Sequence, residues 1–154
     1  MRTMLLSLKP DVYNNVASGV KIFEHRKVFP NEPIKAYIYI SRPIQAIAGI
    51  MTLDNKTALA DWRNEFSYDK EAVARIDEYM TRNKFAMQIK SFQDTNRIPL
   101  KKLQEFDPKF IIPQMYYFLD DSALLKFIEN NLVPQGNLIT HDFSTITSDM
   151  VCLY

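Results

Sequence analysis

What this chain lacks narrows its chemistry before any residue is singled out. It has one cysteine, Cys152, so an internal disulfide is excluded and no cysteine pair exists to hold zinc. Its two histidines, His25 and His141, stand apart from any metal-ligand or triad spacing, and no glycine-rich loop is present to cradle a phosphate chain. No metal and no cofactor are therefore expected. Repeats, low-complexity runs, apolar stretches of bilayer-spanning length and a charged–apolar–small leader are all missing. That pattern predicts a cytoplasmic chain with no membrane partner, and a lone thiol three residues from the end of the sequence is compatible with a reducing compartment. Charge of one sign is scarce too: 19 Lys and Arg against 18 Asp and Glu leave a formal +1. Affinity for long nucleic acid grows with the number of Lys/Arg–phosphate contacts, so this balance favours a small ligand or a short single strand.

What is present reads as one domain over residues 1–154, with 47% hydrophobic and 24% charged residues, long enough to bury a core. Met4 to Lys9 alternates as a strand. Pro10 suits the first position of a helix, Asp11 its positive end, and Gly19 a helix stop, so a helix is predicted over Pro10 to Ser18, with Tyr13, Val16, Ala17 and Val20 on one face. A strand follows in which Glu24 and Arg26 share one side while Phe23 and His25 share the other. Between Lys9 and Lys27 stand four cations, Lys9, Lys21, Arg26 and Lys27, against two acids, Asp11 and Glu24. If Glu24 pairs with Arg26, Lys21 is left for solvent or for an anionic or carbonyl oxygen; an ordinary exposed ion pair is the plainer alternative.

Farther along, Leu59, Trp62 and Phe66 predict a helix face, and Asp69 a cap for a second helix carrying Val73, Ile76 and Met80. Phe85 to Phe92 alternates as a half-buried strand, with Gln88 and Lys90 away from the apolar set. Asn96 to Phe106 is expected to be irregular with a helical turn, because Pro99 restricts its start. Asp120 or Asp121 is expected to cap a helix through Asn130, and after the break at Pro134 and Gly136 the segments Asn137 to Ile139 and Met150 to Leu153 read as added strands, an edge, or a dimer contact.

The run Gly19-x-Lys21-x-x-Glu24-x-Arg26, preceded by Ser7-Leu8-Lys9-Pro10, resembles the ASCH family of the PUA-like superfamily. Tyr37 to Pro43, with its Ser41-Arg42-Pro43 end, resembles that family's next strand, followed by a strand over Ala46 to Leu53. Ile112 to Leu119 resembles its Pro-Gln-aromatic strand. The resemblance spans residues 4 to 130 and leaves 131–154 outside. It implies an α+β fold, a small PUA-like β-barrel with flanking helices, and a cationic cleft suited to RNA or a nucleotide-like ligand such as a short single strand or modified base.

On that reading the ligand-binding residues are Lys9, Lys21, Glu24, Arg26, Tyr39, Ser41, Gln114 and Tyr116, with Lys21 and Glu24 the catalytic pair if the chain is an enzyme. Tyr39 and Tyr116 serve equally as strand packing, and Gln114 as a partner for a buried backbone group. Some members of the family resemble amidohydrolases of acylated cytidines that use a lysine, a threonine nucleophile and a distant glutamate. Lys21 is retained here, but Glu24 stands where the threonine is expected. A carboxylate does not simply replace a hydroxyl nucleophile, because its acyl product would be an anhydride. Binding is thus the leading expectation. The alternatives are hydrolysis, as an amidohydrolase or phosphodiesterase, and a protein-interaction module in transcriptional or translational regulation.

Overall fold

A computed structural model describes all 154 residues. β1 (Arg2–Leu8) runs into α1 (Pro10–Ala17), and after a turn β2 (Phe23–Arg26), β3 (Ile34–Ile40) and the long β4 (Ala46–Ala58) follow. Helices α2 (Leu59–Glu65) and α3 (Lys70–Met80) lead to β5 (Phe85–Gln93), then β6 (Ile98–Pro99), α4 (Leu100–Phe106), β7 (Tyr116–Phe118), α5 (Ala123–Asn131) and β8 (Ile139–Thr140). The strands form one mixed, curled sheet, an α+β half-barrel, in the order β2-β5-β4-β3-β1-β7, with β6 on β4 and β8 on β5. β1 and β3 are parallel, and every other pairing is antiparallel.

The alternation of side chains sorts the core. Met4, Leu6 and Leu8 of β1 join Ile34, Ala36, Ile38 and Ile40 of β3 inside the barrel under Tyr13 and Val16 of α1. Leu5, Tyr37 and Tyr39 point to the opposite face, where Leu103 and Ile128 cover them. In β5, Met87, Ile89 and Phe92 face the barrel although Phe92 breaks the two-residue period. A bulge explains it: Ser91 pairs with Thr52 and Ile89 with Leu53, so Lys90 is the extra residue that flips the register. Gln88 stands outside that apolar set and is nonetheless buried, where Asn55 donates its side-chain N–H to Gln88 Oε1 at 2.9 Å.

One expectation is refined and two are corrected. In Asn96 to Phe106 the expected helical turn is present as the longer α4, and the irregular part shrinks to Asn96 and Arg97: Ile98 is extended as a residue before proline should be, and Pro99 (ψ 153°) ends that stretch so that α4 begins at once. α5 is capped by Ser122, whose hydroxyl accepts from the Leu125 N–H at 3.0 Å, because the Asp120 carboxylate is occupied by Arg2 and Thr3. Met150 to Leu153 is no strand; a 3-10 turn at Ser148–Met150 precedes it, and the added strand lies at Ile139–Thr140, paired with Phe92 and Ser91.

The last segment is nonetheless packed. Val151 and Cys152 are buried in a second apolar cluster with Phe23, Leu59, Trp62, Phe66 and Ile76. Arg75 of α3 holds them there, donating to the carbonyls of Val151 (3.2 Å) and Ser148 (2.7 Å), while the Ser148 hydroxyl donates to Asp69, the cap of α3. Burial pushes the Cys152 thiol up to about 11, which favours the protonated thiol of a packed side chain. Arg75→Ala strips two carbonyls of a charged donor and is expected to destabilise the chain by about 2 kcal/mol, read as a lower urea midpoint.

Candidate ligand-binding cleft

The half-barrel leaves an opening beside its edge strand β2, and the sequence around Gly19 places the cleft's charges there. Helix α1 closes with the Gly19 N–H donating to the Val16 carbonyl at 3.1 Å, and Gly19 turns the chain with φ +85°. The Lys21 N–H then donates back to the Asn15 carbonyl (3.0 Å), which fixes the lysine at the mouth of β2. Because β2 pairs on one side only, with β5, its outer edge borders the opening. Arg26 spans it, donating from Nη2 to the Ser7 carbonyl at the end of β1 (3.1 Å). The resulting cleft has a volume of about 740 Å³.

Glu24 and Arg26 are paired, Oε1 to Nε at 3.4 Å, with both side chains largely buried. That contact is an ion pair without hydrogen-bond geometry, so Arg26 Nε has no hydrogen-bond partner, and neither has Glu24 Oε2. Lys21 is 5% exposed and its Nζ donates to the main-chain oxygen of Tyr154 at 2.5 Å. Burial pulls its pKa below the ordinary lysine value, with Glu24 opposing and Arg26 adding to the effect. The lining contains four cations, Lys9, Lys21, Arg26 and Arg82, and two acids, Glu24 and Glu78. This local excess of two positive charges, against one for the whole chain, favours an anionic ligand.

Of the residues picked out from the sequence, the structure brings six together: Lys9, Lys21, Glu24, Arg26, Ser41 and Gln114 all line the cleft. Tyr39 and Tyr116 are set apart from it. Tyr39 is buried on the other face of the sheet, 6.3 Å from the Phe110 ring, because its position in β3 has the parity of Tyr37 and not that of Ile38 and Ile40. Tyr116 packs edge-on to Phe29 at the barrel's end.

The sequence reading missed residues from three other places. His25 lines the cleft although the strand period turns it away from Glu24, since β2 is a sheet edge and α3 builds a wall over its second face. There the ring stands edge-on to Tyr79 with centroids 4.7 Å apart, and Nε2 is buried without a partner. Burial, with a smaller push from Lys21, drives the His25 pKa down to about 3, so the imidazole is neutral. Glu78, Tyr79, Arg82 and Asn83 come from the end of α3; the four-residue spacing of Glu78 and Arg82 was the only signal for them. Tyr154 comes from the last segment, with no signal at all. No group of three or more His, Cys, Asp or Glu side chains is placed to hold a metal ion, and no helix is long and apolar enough to cross a membrane.

No family model matches the chain, and no curated protein matches it in sequence. Solved structures do match. The ASCH protein of Zymomonas mobilis superposes with a TM-score of 0.63 at 19% identity, covering 86% of this chain and 96% of that one. A serine-to-alanine variant of the same protein gives 0.63 at 19% identity over 84% and 96%. A tyrosine-to-phenylalanine variant gives 0.62 at 18% over 86% and 100%. The α+β half-barrel is therefore the ASCH fold, the fold that the order of motifs implied.

Proposed function

We propose that this chain, built on the ASCH fold, is an ASCH domain whose cleft binds RNA or a nucleotide-like ligand, a short single strand or a modified base. One observation carries the reading: three successive residues of β2, Glu24, His25 and Arg26, each leave a buried polar atom without a hydrogen bond in the lining of one cleft. A buried polar group without a hydrogen bond costs about 1–3 kcal/mol, so Glu24 Oε2 and His25 Nε2, with Arg26 Nε held only by its charge contact to Glu24, favour a polar partner that arrives from outside. Lys21 and Arg26 suit phosphate or carbonyl oxygens, and Glu24 Oε2 accepts an amino N–H at a base edge. Neutral His25 offers one more hydrogen bond that does not vary with charge near neutral pH.

The test is a titration, by NMR or fluorescence anisotropy, with short single-stranded RNAs and a nucleoside panel that includes acylated cytidines. Lys21→Ala is expected to weaken binding roughly tenfold or more, the ordinary worth of a charged hydrogen bond in a dry site, and Arg26→Ala to do the same. Equal binding by both variants and the unaltered chain rules the cleft out.

A second reading, hydrolysis of an acylated nucleoside or a phosphodiester in the same cleft, is favoured by the lowered pKa of Lys21, which makes a neutral amine more available as a base. The cleft also contains Ser41, whose hydroxyl is a candidate for the nucleophile that Glu24 cannot supply. Mass spectrometry of the same titration separates the two: binding with the ligand intact supports a recognition module with a regulatory role, and product formation an enzyme.

A further inference from the structure

Lys21 is the most buried cation of the cleft, yet the acid closest to it in sequence, Glu24, is paired with Arg26. Its ammonium has a single hydrogen-bond partner, the main-chain oxygen of Tyr154. The segment that brings this oxygen divides sharply into a buried part and an exposed part. Up to Cys152 it is fixed, with Val151 and Cys152 buried and Arg75 gripping the carbonyls of Ser148 and Val151. Past that point Leu153 is 47% and Tyr154 54% exposed. Both residues border a second, smaller hollow of about 140 Å³, together with Lys21, Ile22, His25 and Met150. Tyr154 lines both this hollow and the main cleft.

We propose that Leu153 and Tyr154 form a displaceable strap: the Tyr154 main-chain oxygen occupies the Lys21 ammonium until a ligand carbonyl or phosphate oxygen takes its place. The inference rests on the cleft reading for the identity of the ligand, but not for the strap itself. An ammonium withdrawn from water requires an oxygen partner at all times, and the strap supplies one while the cleft is empty. Because the exchange trades one oxygen for another at the same donor, it lowers ligand affinity by the fraction of chains whose strap is closed. Neither Leu153 nor Tyr154 belongs to an apolar cluster of the core, whose last member in the chain is Cys152.

Two variants test this: a chain ending at Cys152, and one with two glycines inserted between Cys152 and Leu153, which displaces Tyr154 without creating a carboxylate at Cys152. Two readouts are taken on each. The rate of Lys21 acetylation by an N-hydroxysuccinimidyl ester, measured by peptide mass spectrometry against the exposed lysines, needs no ligand. Affinity for a fluorescein-labelled short single-stranded RNA is read by anisotropy.

Both variants are expected to raise Lys21 labelling relative to the other lysines and to tighten RNA binding roughly tenfold, as when a competent state present about one time in ten becomes the only one. Placing Lys21→Ala in the Gly-Gly variant should abolish the gain in RNA affinity. Unchanged Lys21 labelling in both variants overturns the strap, as does faster labelling with RNA affinity unchanged. Faster labelling in a protein that binds no RNA or nucleotide, with or without the strap, upholds the strap and overturns the ligand assigned to the cleft.

Discussion

Acidification from about pH 7.5 to about pH 4 is expected to cost the native protein roughly 3 kcal/mol through His25 alone. The imidazole is 8% exposed, walled by the Tyr79 ring of α3, with Lys21 the charge that presses on it and Glu24 beside it on its own strand. In the folded chain its pKa falls to about 3, against 6.5 for a free histidine. Below pH 6.5 the unfolded chain therefore takes up a proton that the folded chain refuses, and stability falls with pH until the folded pKa is reached. Above pH 6.5 neither state binds the proton, and the site contributes no pH dependence. The carboxylates held below their usual range, Asp69, Asp77, Asp120 and Asp142, lose their stabilisation at lower pH, so the two limbs separate. His25→Gln keeps a neutral polar side chain and should remove most of the limb between pH 6.5 and 4. A smaller remainder belongs to His141, whose pKa burial also lowers. Urea unfolding at a series of pH values is the measurement. An unaltered slope in His25→Gln would mean that the ring is solvated in the native state.

The same histidine shows where sequence reasoning reached its limit. Gly19, Lys21, Glu24 and Arg26 were legible because a helix stop, a strand period and a local excess of cations are all short-range signals, and the structure sets the last three in one cleft. His25 was not, because strand parity says which face a side chain takes but not what covers that face. Here the covering comes from Tyr79 near the end of α3, 54 residues further along the chain. Tyr39 fails for a related reason: an aromatic residue in a strand reads the same whether it stacks on a ligand or fills a core, and only the placement of Phe110 and α5 decides. The bulges are invisible for a third reason. Lys90 flips the side-chain alternation of β5 midway, and nothing in its identity announces an extra residue. The last segment lies beyond any motif, and its tie to the site is a main-chain oxygen, which every residue possesses.

Gly49→Ala is expected to be the most damaging single methyl group in the molecule, at about 3–5 kcal/mol, or roughly a 10 °C fall in thermal midpoint for a chain of this size. Two independent costs meet there. Tyr37 pairs with Ile50 and Tyr39 with Ile47, so Ala48 and Gly49 together oppose one residue of β3, and the bulge is made by Gly49 at φ +81°. An alanine pays about 1 kcal/mol for that backbone alone. Its Cβ would also stand 2.8 Å from the Tyr13 hydroxyl oxygen and 2.9 Å from Cε1 of Phe92. Neither neighbour can withdraw: the Tyr13 hydroxyl donates to Asp94 at 2.8 Å, and Phe92 is 1% exposed with its ring against Tyr13. The Gly49 N–H, meanwhile, donates to Thr95 Oγ1, which ties the bulge to the loop after β5.

Gly19→Ala separates the two costs, since at φ +85° it carries the same backbone penalty while its nearest neighbours lie at ordinary contact, 3.8 and 3.9 Å. It should lose about 1 kcal/mol and no more. Tyr13→Phe supplies the complementary control by removing the oxygen nearest the new methyl. Combined with Gly49→Ala, it should cost less than the sum of the two single changes, a coupling that a double-mutant cycle in urea reads directly. Equal losses at Gly49 and Gly19 would mean that α1 floats over the sheet. In that case Tyr13 would not pin the helix that positions Lys9 and, through the Asn15 carbonyl, Lys21.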